Sequence, residues 1–212
     1  MLSNNKILLK ILFISLIIIS ACSKEKEKIN AADELKKLES KEYLLQKVKN
    51  VLGNDVGFTV KGNFNNNGVF EVVAAKDVNN SELSGIKFYL LQLNGSNLTL
   101  TDSTKILEGS LKYSLTNKIK FPFFNFELIY YNSKDYYLGS GGGEQFSYII
   151  NFNDNEIYYA HLISVPKKVD TIFLSNNIKN EQIKNFFLSI AKKDFPNINV
   201  SSTDIKLDKN SF

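Results

Sequence analysis

The chain has one cysteine, one histidine, no tryptophan and, among its 26 basic residues, no arginine. Each shortage closes off a class of protein. A lone thiol cannot form a disulfide within the chain, so a fold placed in an oxidising compartment would rest on packing alone. His161 has no second histidine and no spare cysteine with which to build a tetrahedral zinc site. Arginine supplies the planar fork that reads guanine and grips phosphate at two points. Its absence, with a formal net charge of only +4, argues against nucleic acid as a partner. What the chain does have is apolar mass: 43% of its 212 residues are hydrophobic, enough for one domain with a sizeable core.

The longest apolar run lies at the start. Lys6 and Lys10 precede Ile11 to Ile19, interrupted only by Ser15, and Ile19-Ser20-Ala21-Cys22 leads into Ser23-Lys24-Glu25-Lys26-Glu27-Lys28. A basic region followed by a short apolar region is the layout of a secretory signal. As a helix, Ile7 to Ala21 would reach about 22 Å, short of the roughly 30 Å hydrocarbon core, and Lys10 sits inside it. A spanning segment is therefore not expected.

Small residues before the only cysteine resemble the lipobox of bacterial lipoproteins, with Ile19 where leucine is usual. The resemblance implies cleavage before Cys22, a lipid thioether on Cys22, and a fatty acyl chain such as palmitate on the new amino terminus. More than one chain on a single residue makes a stable anchor. On this reading residues 1–21 are the signal, 22–29 the lipidated cysteine and a flexible tether, and the partner through Cys22 is the membrane. Ser23 rather than aspartate implies sorting to the outer membrane, facing the periplasm or the cell surface. Loss of Lys6 and Lys10 leaves 24 lysines against 22 acidic residues, close to neutral.

Residues 30–212 read as a single β-rich domain. Asn30 is positioned to cap a helix over about 31–52, with Asp33 and Glu34 in its first turn, Lys47 and Lys49 in its last, and Gly53 at its end. Its apolar stripe is broken at Glu42. From Val56 the period changes to two, predicting strands over Val56 to Phe64, Val69 to Lys76, Ile86 to Leu93, Leu98 to Thr101 and Leu111 to Leu115. Further strands are predicted over Ile119 to Tyr131, Asp135 to Leu138, Gln145 to Phe152, Glu156 to Val165 and Asp170 to Leu174. Pro122 inside the Ile119 run implies an edge, a bulge or a break. Asn180 then caps a second helix over about 181–193, with Ile183, Phe186, Phe187, Ile190 and Ala191 on one stripe. The expected fold class is α+β, mostly β. It is an antiparallel sheet arrangement (sandwich, barrel or propeller-like) flanked by an N-terminal and a C-terminal helix.

Within this domain, Asn63-Phe64-Asn65-Asn66-Asn67-Gly68 followed by Glu71 resembles the FG-GAP or VCBS-type loop, Asp-x-Asx-x-Asp-Gly-x-x-Asp. The resemblance implies a calcium loop between two strands, with Asn63, Asn65, Asn67 and Glu71 at the ligand positions and Gly68 at the sharp turn. In that family such copies build propeller blades that bind proteins or glycans. The donor chemistry departs from the family's. Calcium affinity grows with carboxylate charge, and here only Glu71 carries one, so affinity is expected to be millimolar or nil. Asn151-Phe152-Asn153-Asp154-Asn155 is the nearest second copy, without the glycine and with Tyr159 at the last ligand position. An asparagine-rich hairpin turn explains the same residues without any metal.

Gly139-Ser140-Gly141-Gly142-Gly143 fits neither a phosphate-binding loop nor a nucleophile elbow, because no Gly-Lys-Ser/Thr follows and Leu138 stands two before Ser140. It reads as a loop between aromatic strands, and Tyr136, Tyr137, Ser140 and Glu144 are candidates for the rim of a ligand site. His161 reads as a half-buried core histidine rather than a base. The expected function is a membrane-anchored envelope lipoprotein, a non-enzymatic protein- or glycan-binding module with no cofactor. The alternatives are an immunity or inhibitor lipoprotein against an envelope-acting enzyme, and a hydrolase that uses carboxylates near the glycine loop.

Overall fold

A computed structural model describes residues 32–79, 84–136 and 142–203. The expected signal, lipidated Cys22, tether and Asn30 cap fall outside these residues, as do Tyr137, Leu138 and Ser140. Two sheets account for all the named strands. The first is a four-stranded antiparallel meander: β1 Val56–Gly62, β2 Glu71–Asn79, β3 Ser84–Asn94 and β4 Asn97–Ser103, adjacent in that order. The second has six strands, β5 Ser114–Ile119, β6 Leu128–Tyr136, β7 Gly143–Asn151, β8 Glu156–Ser164, β9 Asp170–Ser175 and β10 Ile198–Thr203. It is antiparallel throughout except where β10 pairs with β9 in parallel. Neither sheet closes into a barrel.

Two helices cover the outer faces, α1 Lys41–Leu52 and α2 Glu181–Asp194. Alternation along the strands sends residues to opposite faces, and this sets the layers. Val73, Ala75, Ile86 and Phe88 of the first sheet share one core with Ile129, Tyr131, Tyr148 and Tyr159 of the second. The opposite face of the first sheet, Val72, Ala74, Leu91 and Leu98, packs on Leu44 and Val48 of α1. The opposite face of the second, Ile149, Ala160, Leu162 and Ile172, packs on Ile183, Phe187 and Ala191 of α2. Those helix residues recur every four positions, which keeps them on one stripe. The result is a sandwich of two sheets between two helices.

Several elements depart from the sequence-based expectation. The first helix is not continuous over 31–52: residues 32–37 are helical, a turn occupies 38–40, and α1 restarts with Ser40 as its cap, its hydroxyl accepting the Tyr43 N–H. The first-turn N–H groups of a helix have no partner within it, and a serine hydroxyl that accepts one of them favours the cap over the helix interior. The run Ile119 to Tyr131 is not one strand: it spans the last residue of β5, the connection 120–127 with Pro122 in its turn, and the start of β6. Strand β6 continues through Asp135, where a separate strand is expected from the sequence. Leu111–Tyr113 is one turn of 3-10 helix leading into β5.

Candidate functional site

One end of the sandwich gathers four connections: residues 63–70, 95–96, 120–127 and 152–155. The registers Gly62↔Glu71, Glu71↔Gln92, Ile119↔Leu128 and Ile129↔Ile150 place them together. The asparagine-rich loop is folded by its own side chains. Asn63 Oδ1 accepts the Asn66 N–H at 3.0 Å, Asn65 Oδ1 the Asn67 N–H at 3.2 Å, and Asn67 Oδ1 the Val69 N–H at 2.9 Å. Positive φ at Asn66 (54°) and Gly68 (74°) turns the chain, at residue types that adopt it at little cost.

Beneath the loop lies Glu71, fully buried. Its Oε2 accepts the N–H groups of Phe64 (2.5 Å) and Asn65 (3.0 Å), and its Oε1 accepts from the Gln92 amide at 3.0 Å. The four residues at the metal-ligand positions are thus brought to one loop, but each already serves as a hydrogen-bond acceptor. A cation entering here would compete with the loop's own N–H groups for these oxygens.

Residues 120–127 sit alongside. The Glu127 N–H donates to the Asn63 carbonyl at 2.6 Å, the Asn63 N–H donates back to Glu127 Oε2 at 2.9 Å, and Lys118 pairs with Glu127 Oε1 at 2.8 Å. The phenylalanines of this connection form a chain of ring contacts. Phe121 lies on Phe123 at 5.4 Å between centroids, Phe123 on Phe124 at 4.6 Å and Phe124 on Phe126 at 4.8 Å. Phe121 also meets Phe186 of α2 edge-on at 5.7 Å. Phe121 and Phe126 are buried, whereas Phe123 is 42% exposed.

The opposite end holds Tyr136 and Glu144, the two residues of the expected ligand rim that are described. Tyr136 ends β6 opposite Gly143, and Glu144 follows on β7. Glu144 Oε2 lies 2.7 Å from His161 Nε2, both half-buried, and Phe146 stacks on the imidazole at 4.6 Å. A carboxylate bonded to one ring nitrogen fixes the orientation of a histidine ring, the arrangement that positions a base. Close by, the Tyr159 hydroxyl is pushed above its ordinary value by burial first, then by the charges of Glu108 and Glu144. His161 and Glu144 lie 17 residues apart in the chain, and no local pattern relates them. The register Phe146↔His161 and Glu144↔Ile163 makes them diagonal neighbours on one face, a relation that follows by counting back from the turn at 152–155.

The two candidate loop copies prove to be corresponding hairpin turns. Phe58 to Asn67 and Phe146 to Asn155 share phenylalanine at the first position and Asn-Phe-Asn at the sixth to eighth, with asparagine again at the tenth. In the second copy Asn151 Oδ1 accepts the Asp154 N–H at 3.1 Å and Asn155 takes the positive φ, 53°. One hairpin lies in each sheet, facing a common core.

The fold and these ends define a two-sheet, helix-flanked sandwich with loop-built surfaces. No family model, curated protein or solved structure matches the chain. No helix among the described residues is long and apolar enough to cross a membrane.

Proposed function

We propose that the protein is a lipid-anchored envelope lipoprotein whose sandwich is a non-enzymatic module for binding a protein or glycan. The anchor part is supported by Ile19-Ser20-Ala21-Cys22 after a basic and apolar leader. The binding part is supported by one juxtaposition: the connection 120–127, which carries exposed Phe123, is tied to the amide-rich loop by the paired Asn63 and Glu127 contacts. An exposed aromatic ring and amide groups at one end of the fold suit a sugar ring or a polar protein surface, offering apolar contact and directed hydrogen bonds. Metabolic labelling with a fatty acid tests the anchor: label is expected on the wild type and lost in Cys22→Ser. Capture of envelope protein or glycan by the tagged chain, reduced in Phe123→Ala, tests the module. A captured enzyme that the chain inhibits would specialise the reading to an immunity or inhibitor lipoprotein.

The Glu144–His161 pair favours a second reading, a carboxylate-dependent hydrolase at the opposite end. Turnover of an envelope polymer that disappears in Glu144→Gln would replace the first reading with this one.

A further inference from the structure

Between α1 and the edge strand β1 lies a groove of about 450 Å³. Leu38, Leu44 and Val60 line its apolar part, and Lys41, Lys61 and Lys118 stand around it. The Lys118 ammonium donates to the Lys61 carbonyl at 3.2 Å, so the Lys61 backbone faces away from β2. In an antiparallel ladder the N–H and C=O of one residue point the same way, and the direction alternates along the strand. Thr59 therefore faces outward as well. Its N–H and C=O, and the N–H of Lys61, open into the groove, and none has a backbone partner among the described residues.

We propose that this groove takes an extended acidic peptide segment of a partner protein, added as a further strand to β1. The surface is separate from the Phe123 end, and the proposal does not depend on the function proposed for that end. The three edge groups supply main-chain hydrogen bonds, while alternate side chains of the guest fall toward Leu38 and Leu44 or toward the lysines. Charge selects the guest. Lys61 is paired with Glu39 and Lys118 with Glu127, while Lys41 makes no ion pair among the described residues, so the lining has a positive surplus over its one carboxylate, Glu39. A fatty acid would satisfy the charge but leave the edge N–H and C=O groups unmatched. A second copy pairing through β1 would bring the lysines of both chains together.

The test titrates the full chain in detergent with a fluorescein-labelled peptide of alternating leucine and glutamate, read by anisotropy. Saturable binding is expected, with losses of about tenfold or more in Thr59→Pro, which removes an outward N–H without touching the β2 ladder. Lys41→Glu keeps all backbone groups and reverses one rim charge. It is expected to weaken the glutamate peptide several-fold and leave the glutamine version of the peptide unchanged. Equal binding by the wild type and both variants would overturn the proposal. So would no binding by the wild type, preference for a leucine and lysine peptide, or saturable binding of oleate in place of the peptide. Concentration-dependent dimerisation abolished by Thr59→Pro would assign the edge to a second copy and overturn it too.

Discussion

Phe64 and Phe152 hold the same place in two hairpins, one in each sheet. Each follows the asparagine that opens its turn, and each is buried in the core between the sheets, at 0% and 4% exposure. In both turns the opening asparagine accepts the N–H three residues on, which closes the chain so that the next side chain points inward. The two turns thereby pin the same end of the core from opposite sides. Replacing either ring by alanine is expected to lower stability by about 3–5 kcal/mol, and the exposed Phe123→Ala by well under that. Urea unfolding of the three variants checks it, and equal small losses at all three positions would remove the pinning role.

Glu71 is the second support of the first turn. Glu71→Ala leaves the N–H groups of Phe64 and Asn65 and the amide of Gln92 without their acceptor, and is expected to destabilise by at least about 2 kcal/mol. Glu71→Gln keeps one acceptor oxygen and is expected to lose less. Because hydrogen bonds already close this loop, added calcium is expected to leave the melting temperature of the wild type unchanged. A rise of several degrees that disappears in Glu71→Gln would show instead that a cation organises the turn.

Glu34 joins the helical segment 32–37 to α1. Lys47 Nζ lies 2.7 Å from its Oε1, and the Tyr43 hydroxyl donates to the same oxygen at 2.8 Å. The Lys47 hydrogen bond, chiefly, holds the Glu34 carboxyl below its ordinary value of 4.5, with Tyr43 assisting against the opposing effect of burial. A carboxyl depressed in the folded state adds stability above its unfolded value, and that stability is lost as pH falls through the folded value. Wild type is therefore expected to melt higher than Glu34→Gln at pH 7, with the gap closing below about pH 4.5. Parallel melting curves from pH 7 to pH 3 measure it; a constant gap would exclude the pair as its source.

Burial sets the alkaline limit. The hydroxyls of Tyr130 and Tyr131 are pushed up to about 12 by desolvation, and those of Tyr148, Tyr158 and Tyr159 are raised further by the same cause. The folded state then holds protons that the unfolded chain gives up near pH 10. Stability from these groups is complete below pH 10 and falls as pH rises, by about 1.4 kcal/mol per pH unit for each tyrosine still protonated only when folded. Tyrosinate absorbance is expected to rise for the exposed rings first, with the buried five ionising together with unfolding. Independent ionisation of the five in folded protein would contradict their burial.

Much of the fold is legible along the chain because local pattern and packing agree. The stripe from Ile183 to Ala191 and the Asn180 cap predict a helix over about 181–193, and α2 spans Glu181–Asp194. Alternation in Ile86 to Leu93 predicts β3 because its two faces meet different cores. The run Ile119 to Tyr131 misleads for a physical reason. Phe121, Phe124 and Phe126 pack against one another and α2 from a loop, so they carry the apolarity of a strand without its ladder. Strand β10, Ile-Asn-Val-Ser-Ser-Thr, alternates apolar and polar residues over only four positions, too short a period to mark a strand, and the return of the chain after α2 brings it to β9. Glu144 and His161 were each visible, but their meeting depends on the β7–β8 register.

Composition and order along the chain determined that the domain is mostly strand, that it carries no disulfide of its own, and where most elements begin and end. Those properties depend on residue type and on neighbours within a few positions. Which strands form which sheet, which face each helix covers, the end at which Asn63 meets Glu127, and the groove beside β1 were decided only in three dimensions. They arise from contacts between residues far apart in the chain, chosen by how two apolar sheet faces bury each other, and no local period records that choice.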